Sequence, residues 1–424
     1  MMKNKLLLVF AMALFAVQNS NSQIKETETK YISSENGSTT SCPFFTSDRK
    51  GRTVMTYGKE TTGKDAVLNY AVFNAKTKSF GAPIEIPSSK GVELHGENMP
   101  KMVFKPNGEI IAVWGIDNPT PKKKYGGLIQ YSQSFDGGKN WTPAKRLVND
   151  QNGIDQRYFD IDLLPSGEVA IIWLDNRTKT DLDGSTLYYA VTKGKKGFQN
   201  EKVIGETTCQ CCRTDLFVGK NGVIYAAYRD IINEEIRDMV LSYSSDNGKT
   251  FSKPKRISAD DWKINGCPHT GPTMTHNENG LHFAWFTMGG GAGVFYANSS
   301  DNGKSFSKRD NVSANASAKH PQISALKNSN VVIVWDESAE INGNYFNRIG
   351  LQHRAKNGKV METEFVTSSA EGMSTFPIVK ALSETEVLIA WSQGGKEAKV
   401  GYKTVRIGNQ KSSKSVKNKS VVER

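Results

Sequence analysis

Short apolar segments separated by turn residues recur along the whole chain. In each unit an apolar segment leads to a turn with glycine or asparagine, and a second apolar segment returns and ends near an aromatic residue. A third segment with an aromatic centre follows, and then a shorter fourth one. The hairpins that open these units span 43–57, 100–114, 159–173, 214–228, 272–285, 321–335 and 377–391. Short strands with turn signals about every 8–12 residues predict an all-β fold.

One motif recurs in the turn before the fourth segment. It reads S-x-D-x-G-x-x-(W/F), and its three copies span 134–141, 244–251 and 299–306. Their aspartates lie 110 and then 55 positions apart, so a period of 55 residues runs through the chain with one degenerate copy. A fixed period of this length indicates stacked or radial repeats. Asp and Asn bond to their own backbone in such turns, and glycine supplies a positive φ.

This motif is identified as the Asp-box, or bacterial neuraminidase repeat, and the chain resembles β-propellers of the sialidase superfamily. The resemblance implies one propeller over residues 23–407. Seven opening hairpins predict seven four-stranded blades, although sialidases have six and six is the alternative. The last unit ends after its third strand, near 402–407. We expect the segment 24–32 to supply the missing strand and to close the ring, which removes an exposed sheet edge.

The two ends of the chain have their own character. Residues 1–22 read as a secretory signal, with Lys3 and Lys5 before an apolar stretch at 6–17 that is too short to span a bilayer. Residues 408–424 form a basic tail that we expect to be disordered. The formal net charge is +12, of which +6 remains for residues 23–407. We predict a secreted protein (periplasmic, cell-surface or extracellular) without a transmembrane segment or a nucleic-acid partner.

In a propeller the ligand-binding face collects two kinds of loop. One kind leads into the innermost strand of each blade, and the other joins the second and third strands. We call this the upper face and the first kind inter-blade loops; the Asp-box turns lie toward the opposite rim. All five cysteines fall in or beside inter-blade loops, as do His95, His269 and His320. The upper face is therefore predicted to be the functional one.

Four cysteines and one histidine lie in the loops that precede two consecutive blades. We predict that these side chains lie close together in the fold. They are Cys209, Cys211, Cys212, Cys267 and His269. Thiolates with an imidazole can bind zinc or, because thiolates are soft ligands, Cu(I). Disulfides among these cysteines are the alternative in an exported chain, and free thiols are a third reading. Five cysteines leave one unpaired in any intrachain disulfide scheme.

Charged residues near the ends of second strands form a further candidate site. The residues that we assign to a possible catalytic or ligand-binding role are Arg213, Tyr228, Arg229, Asp230, Arg237 and His95. Matching positions in other blades hold Asp175, Arg177, Asp336 and Glu337. Arginine recognises carboxylate or sulfate groups, and paired carboxylates can act on a glycosidic bond. The alternative is a ring of salt bridges between blades.

The resemblance to sialidases fails at their first arginine. Sialidases carry it in a Phe/Tyr-Arg-Ile-Pro motif on the first blade, where this chain has Ser41-Cys42-Pro43-Phe44. A tyrosine nucleophile with its glutamate cannot be placed either, whereas Arg213 and Arg348 lie on plausible blades for other arginines. We therefore expect a propeller that acts on or binds carbohydrate, possibly an anionic glycan. As an enzyme it would be a glycoside hydrolase or a polysaccharide lyase, the latter using His95, Tyr228 and Arg229. A non-catalytic glycan-binding propeller and a metal-binding propeller are the alternatives.

Overall fold

The structure is a computed structural model, and it describes residues 25–32, 37–121, 123–149, 155–177, 184–395 and 397–408. The predicted signal and nearly all of the predicted tail lie outside these residues. Within them the chain forms six antiparallel sheets, of which one has eight strands and spans two units joined by the pair of Thr208 with Asp230. The strands thus fall into seven units, each with four strand positions. No helix in the described part of the chain is long and apolar enough to cross a membrane.

The strands of the first four units follow chain order. Blade 1 contains Ser38–Ser47, Thr53–Thr61, Val67–Asn74 and an outer position shared by Ser79–Phe80 and Ile84–Ile86. Blade 2 contains Lys101–Phe104, Ile110–Asp117, Gly127–Ser134 and Lys145–Arg146. Blade 3 contains Gln156–Leu163, Val169–Asp175, Ser185–Thr192 and Phe198–Thr208. Blade 4 contains Asp215–Val218, Ile224–Ile232, Ile236–Ser244 and Lys255–Arg256.

The remaining units repeat this order. Blade 5 contains Thr273–Asn277, Gly280–Thr287, Gly293–Ser299 and Asp310–Ser313. Blade 6 contains Lys319–Ala325, Val331–Ile341, Asn344–Arg354 and Val360–Phe365. Blade 7 contains Ser374–Ala381, Glu386–Gln393 and Lys399–Arg406, with Lys25–Glu26 and Lys30–Tyr31 at its outer position. Single 3₁₀ turns are Pro87–Ser89, Gly194–Lys196 and Ser369–Glu371.

The seven units form a closed ring. The first strand of each blade contacts the first strand of the next, and the first strand of blade 7 contacts that of blade 1. This arrangement agrees with the predicted seven blades. At the seam, Lys25 pairs with Arg406 and Tyr31 pairs with Gly401. The predicted closure by the N-terminal strand is therefore confirmed, and it covers the edge that blade 7 would otherwise expose.

The innermost strands have an edge that faces the axis, and side chains of the neighbouring blade supply its hydrogen-bond partners. Asp160 of blade 3 accepts from the backbone N–H of Leu216 in blade 4 at 2.7 Å. Asp215 of blade 4 does the same for Met274 of blade 5 at 2.9 Å. Equivalent bonds run from Val218 to Asp162, from Ala325 to Thr275 and from Ala381 to Ser324. Edge N–H groups near the axis are thus satisfied without another strand.

An aromatic residue within each second strand lies in the core between blades. Trp114, Trp173, Trp285, Trp335 and Trp391 are fully buried, and Tyr57 and Tyr228 take this place in blades 1 and 4. In two blades the indole N–H donates to the carboxylate two residues later, from Trp173 to Asp175 at 3.2 Å and from Trp335 to Glu337 at 2.8 Å. Asp175 and Glu337 therefore have a structural role as acceptors for buried indoles.

Opposite this aromatic residue the first strand carries a bulge in four blades. The register shifts between Ser41 and Phe44, and it shifts at the equivalent points of blades 3, 6 and 7. The bulged residues with positive φ are Cys42 (54°), Tyr158 (56°), His320 (50°) and Phe376 (51°). Such bulges change the direction of a strand and of the side chain that they carry. They occur at the upper face, at the start of the innermost strands.

The Asp-box turns form the predicted local network at the opposite end. In the first copy, Ser134 Oγ accepts from the backbone N–H of Gly138 at 2.8 Å and donates to Asp136 at 2.9 Å. Asp136 also accepts from the backbone N–H groups of Lys139 and Asn140 at 3.0 and 2.9 Å. These bonds lower the pKa of Asp136 to about 2. The copies at Asp246 and Asp301 repeat this pattern.

Candidate functional site

The inter-blade loop at 93–98 crosses the axis of the propeller at the upper face. Glu97 of this loop is buried and accepts from Arg213 Nη1 at 2.9 Å and from the backbone N–H of Gly271 at 3.2 Å. Arg213 is also buried, and its Nη2 donates to the carbonyl of Pro321 at 2.7 Å. One ion pair thus joins loops of blades 2, 4, 5 and 6. We call Glu97, Arg213 and their two backbone partners the hub.

Two glycines allow this close approach. A Cβ on Gly96 would lie 2.5 Å from the ring of Phe376, and a Cβ on Gly271 would lie 1.9 Å from the carbonyl oxygen of Arg213. Any side chain at either position would push the loop away from the axis. The hub therefore closes the channel near the upper face, and a ligand of this face would lie on the loops rather than in the channel.

A tyrosine and two histidines lie beside the hub. The rings of His95 and Tyr158 meet edge to face with 6.1 Å between their centroids. The backbone N–H of Tyr158 donates to the side chain of Asn98 at 2.8 Å, which fixes the bulged strand against the 93–98 loop. Burial raises the pKa of Tyr158. Burial and the charge of His95 lower the pKa of His269.

Basic side chains border this group. The guanidinium of Arg157 lies over the ring of Tyr158 at 5.6 Å and forms an ion pair with Asp155 at 2.7 Å. Lys123 pairs with the same carboxylate at 2.6 Å. Two cations thus share Asp155, and Glu93 is a further carboxylate near Arg157. Histidine, tyrosine and arginine side chains together can transfer protons and hold an anionic group.

The predicted group of cysteines comes together on the adjacent loops. Cys209 Sγ lies 3.6 Å from Cys211 Sγ and 3.7 Å from Cys212 Sγ. The ligand atoms of Cys211, Cys267 and His269 also lie within 4.8 Å of one another. All these cysteines are free, since a disulfide needs sulfurs about 2.05 Å apart. We call these four cysteines with His269 the cysteine cluster; Cys42 lies elsewhere, in the core of blade 1.

Two buried arginines adjoin this cluster. Arg237 Nη1 donates to Cys209 Sγ at 3.4 Å. Arg229 stacks on Trp262 at 5.0 Å and donates to the carbonyls of Arg237, Thr270 and Phe286. The thiols of Cys211 and Cys212, together with these guanidiniums, hold the pKa of Cys209 well below its usual range. Cys209 can therefore carry a negative charge in a buried place, whereas hydrogen bonds to neighbouring cysteines and burial raise the pKa of Cys211 and Cys212.

The other residues of the predicted charged site fall into separate environments. Tyr228 is buried below the loops, with its hydroxyl 3.4 Å from Ser242 Oγ. Asp230 accepts from Thr207 at 3.2 Å, and burial raises its pKa to about 6. The partner that the structure gives to His95 is Tyr158, whereas Tyr228 takes the core position equivalent to the tryptophans. A catalytic role for Arg213, Tyr228, Arg229, Asp230 and Arg237 stays a prediction, and their contacts among the described residues are structural ones.

The alternative of salt bridges between blades does not fit the other charged residues. Arg177 pairs with Asp175 and Glu201 of its own blade, at 3.5 and 3.0 Å. In blade 6, Arg348 pairs with Glu337 at 2.8 Å. His320 of the same blade bonds to Asp336 at 2.8 Å and stacks on Phe376 with centroids 4.0 Å apart. These ion pairs each lie within a single blade and do not join blades, whereas the pair of Arg213 with Glu97 joins two blades, as that alternative predicts.

Sequence reasoning missed the two residues that organise the upper face, Glu97 and Tyr158. Glu97 follows His95 in an inter-blade loop, and only the histidine was considered. Tyr158 occupies the same place in its blade as Cys42, His320 and Phe376, which are each followed by proline. That recurrence was a usable signal for the bulged position, although blade 3 itself has Phe159 in place of the proline.

Solved structures with the same fold cover most of this chain. It is similar to a protein of unknown function from Dyadobacter fermentans, with 14% identity and a TM-score of 0.52 over 91% of this chain and 100% of that one. It is also similar to an ulvan lyase of polysaccharide lyase family PL25, with 11% identity and a TM-score of 0.52 over 88% and 95%. The polysaccharide lyase Uly1 matches with 12% identity and a TM-score of 0.50 over 84% and 88%.

No protein-family model matches the sequence, and no curated protein matches it. Identities between 11% and 14% show the fold alone. They confirm the β-propeller fold that the Asp-box motifs predict.

Proposed function

We propose that this propeller binds and acts on a carbohydrate at its upper face, with His95 and Tyr158 as the reacting groups. The observation that carries the proposal is their edge-to-face pairing beside Arg157, at the start of an innermost strand. Two structures that share the fold are named as polysaccharide lyases, which supports a glycan substrate. The secretory signal predicted at 1–22 supports contact with extracellular glycans.

Eliminative cleavage of a uronate glycan fits these residue types. A base removes the proton next to the uronate carboxylate, an acid protonates the leaving glycosidic oxygen, and a cation offsets charge on the carboxylate. His95 and Tyr158 supply the base and the acid in this proposal, and Arg157 with Lys123 supplies the cation. The net charge of +6 that remains for residues 23–407 supports an anionic glycan.

A panel of neutral, sulfated and uronate polysaccharides tests the proposal. Elimination creates a carbon–carbon double bond that absorbs in the ultraviolet, whereas hydrolysis creates a reducing end without it. We expect turnover of a uronate glycan, and a fall of at least about 100-fold for Tyr158→Phe and His95→Ala. Tyr57→Phe is the matched control, because Tyr57 is a buried tyrosine in the core of blade 1. If the protein neither binds nor cleaves any polysaccharide in the panel, the proposal is contradicted.

Closure of the channel by the hub favours a second candidate, a propeller that binds glycan without cleaving it. A shallow face offers less exclusion of water than a deep cleft does. Retardation of the protein in gels that contain the same polysaccharides measures this binding directly. Binding without either product would support the second candidate, and Arg157→Ala should then weaken the retardation.

A further inference from the structure

We propose that the cysteine cluster is a binding site for one thiophilic d¹⁰ metal ion, Zn²⁺ or Cu⁺. Cys209, Cys211 and Cys212 supply the inner ligands, and Cys267 and His269 approach Cys211 from the next blade. This site adjoins the proposed carbohydrate site, because Tyr158 packs in the same core cluster as Cys209, Cys211 and Cys212, but its chemistry is a different one. It requires neither a glycan nor the His95–Tyr158 pair.

The distances between sulfurs fit a shared ion. Zinc–sulfur bonds of about 2.3 Å at tetrahedral angles place neighbouring sulfurs about 3.8 Å apart. Cys209 Sγ lies 3.6 Å from Cys211 Sγ and 3.7 Å from Cys212 Sγ. The same separations are far longer than a disulfide bond of about 2.05 Å. Three sulfurs on one tight turn therefore have the spacing of ligands around a metal.

A second loop completes the ligand set. Cys211 lies in both candidate ligand groups, because its sulfur is also within 4.8 Å of the ligand atoms of Cys267 and His269. The first group is buried and comes from the loop that opens blade 4. Cys267 and His269 are exposed and come from the loop that opens blade 5. A metal ion could therefore bind at the buried group and enter from the exposed side, where Cys267 and His269 lie.

The charge around the cluster favours bound thiolates. Arg229 and Arg237 are buried, and no carboxylate pairs with either of them among the described residues. Arg237 donates to Cys209 Sγ, and the buried Nε of Arg229 has no hydrogen-bond partner in the part of the chain that the structure describes. Buried charges are costly unless they are compensated. Three thiolates on one Zn²⁺ carry a net charge of −1, which offsets part of the charge of the two guanidiniums.

Metal uptake by the reduced chain tests the proposal. The purified chain is reduced and kept without oxygen, its five cysteines are counted with a thiol reagent, and it is dialysed against Zn²⁺ or Cu⁺ in separate arms. We expect about one ion per chain in at least one arm, and protection of the cluster thiols from the reagent. Binding should also raise the Tm by about 4 °C at a metal concentration 100-fold above the Kd. The two arms show which of the two ions the cluster prefers.

Single substitutions assign the site. Cys211→Ser should abolish stoichiometric binding, and Cys209→Ser should weaken it at least tenfold. Cys42→Ser is the matched control, since Cys42 is a buried cysteine of blade 1 outside the cluster, and this variant should keep the wild-type stoichiometry. If Cys211→Ser fails to fold, the exposed ligands Cys267→Ser and His269→Ala replace it, and each should weaken binding at least tenfold.

Three results would overturn the proposal. The first is fully reduced wild-type protein that takes up neither ion. The second is uptake that Cys211→Ser and Cys267→Ser both leave unchanged. The third is protein that, isolated without reductant, holds its cluster cysteines in disulfides and regains no metal site after reduction. Glycan turnover is measured separately, so failure of the carbohydrate proposal leaves these metal readouts intact.

Discussion

The hub and the Asp-box turns lie at opposite ends of the blades. Each contains a carboxylate, Glu97 in the hub and Asp136 in the first Asp-box turn, and the two have different roles. Glu97 is 3% exposed and bonds to Arg213, which is 116 residues away in the chain. Asp136 is exposed, and its partners lie within four positions of it. The first carboxylate joins blades to one another, whereas the second only shapes its own turn.

This contrast predicts very different energetic effects. A buried charge that loses its partner is left uncompensated in a region of low dielectric constant, so its removal from water is no longer offset. A carboxylate in water loses only local hydrogen bonds when it is replaced. We therefore expect substitutions at the axis to destabilise the fold strongly and substitutions at the rim to do so weakly.

The largest effect is expected at Arg213. Arg213→Met fills a similar volume but leaves the charge of Glu97 unpaired, and the free energy of unfolding should fall by about 3–5 kcal/mol. Urea unfolding followed by tryptophan fluorescence measures this loss. Lys356→Met is the matched control, because Lys356 forms an exposed ion pair with Glu278, and it should cost less than about 1 kcal/mol.

The Arg213→Met variant also distinguishes a ligand-binding role of Arg213 from a structural one. If Arg213→Met left stability unchanged and abolished glycan binding, the arginine would be a ligand-binding residue as the sequence predicts. Loss of stability with binding retained in the folded fraction would make it a structural residue of the hub. The double substitution with Glu97→Gln should cost less than the sum of the single ones, since both charges are then removed.

The fold could be predicted from the sequence because the motifs that indicate it are local. The Asp-box turn and the turn glycines act within one blade, and an aromatic residue recurs in each second strand. The roles of Glu97 and Tyr158 could not be predicted from the sequence, because their partners come from blades that only the closed ring brings together. The cysteine cluster could be predicted although its members come from two blades. Its two segments open consecutive blades, so the repeat itself places them side by side.

An effect of intermediate size is expected at the inner-strand carboxylate Asp215. Burial, with Asp160 nearby, raises the pKa of Asp215 to about 7, while Arg213 and Lys101 act in the opposite sense. The folded chain thus holds this proton more tightly than the unfolded chain, whose carboxyl titrates near 3.8. Stability from this group is fully present below pH 4 and is lost as the pH rises toward about 7.

Asp215→Asn removes this dependence while keeping an oxygen that can accept from the N–H of Met274. At pH 8 the variant should be more stable than the wild type by on the order of 2 kcal/mol, and the difference should shrink as the pH falls toward 4. Unfolding in urea at several pH values measures it. Asp65→Asn, which alters an exposed pair with Lys90, should show no such trend. A difference between Asp215→Asn and the wild type that does not change with pH would contradict the assignment.

The smallest effect is expected at the Asp-box turns. Hydrogen bonds from Asn140 lower the pKa of Asp136 to about 2, so the stability that this carboxylate contributes is present above pH 3.8 and is lost as the pH falls toward 2. Asp136→Ala should lower the Tm at pH 7 by no more than about 2 °C. The three turns lie on different blades, so the losses from Asp136→Ala, Asp246→Ala and Asp301→Ala should add in the triple variant. A triple variant that loses far more than this sum would show that the rim turns, like the hub, hold the blades in one cooperative ring.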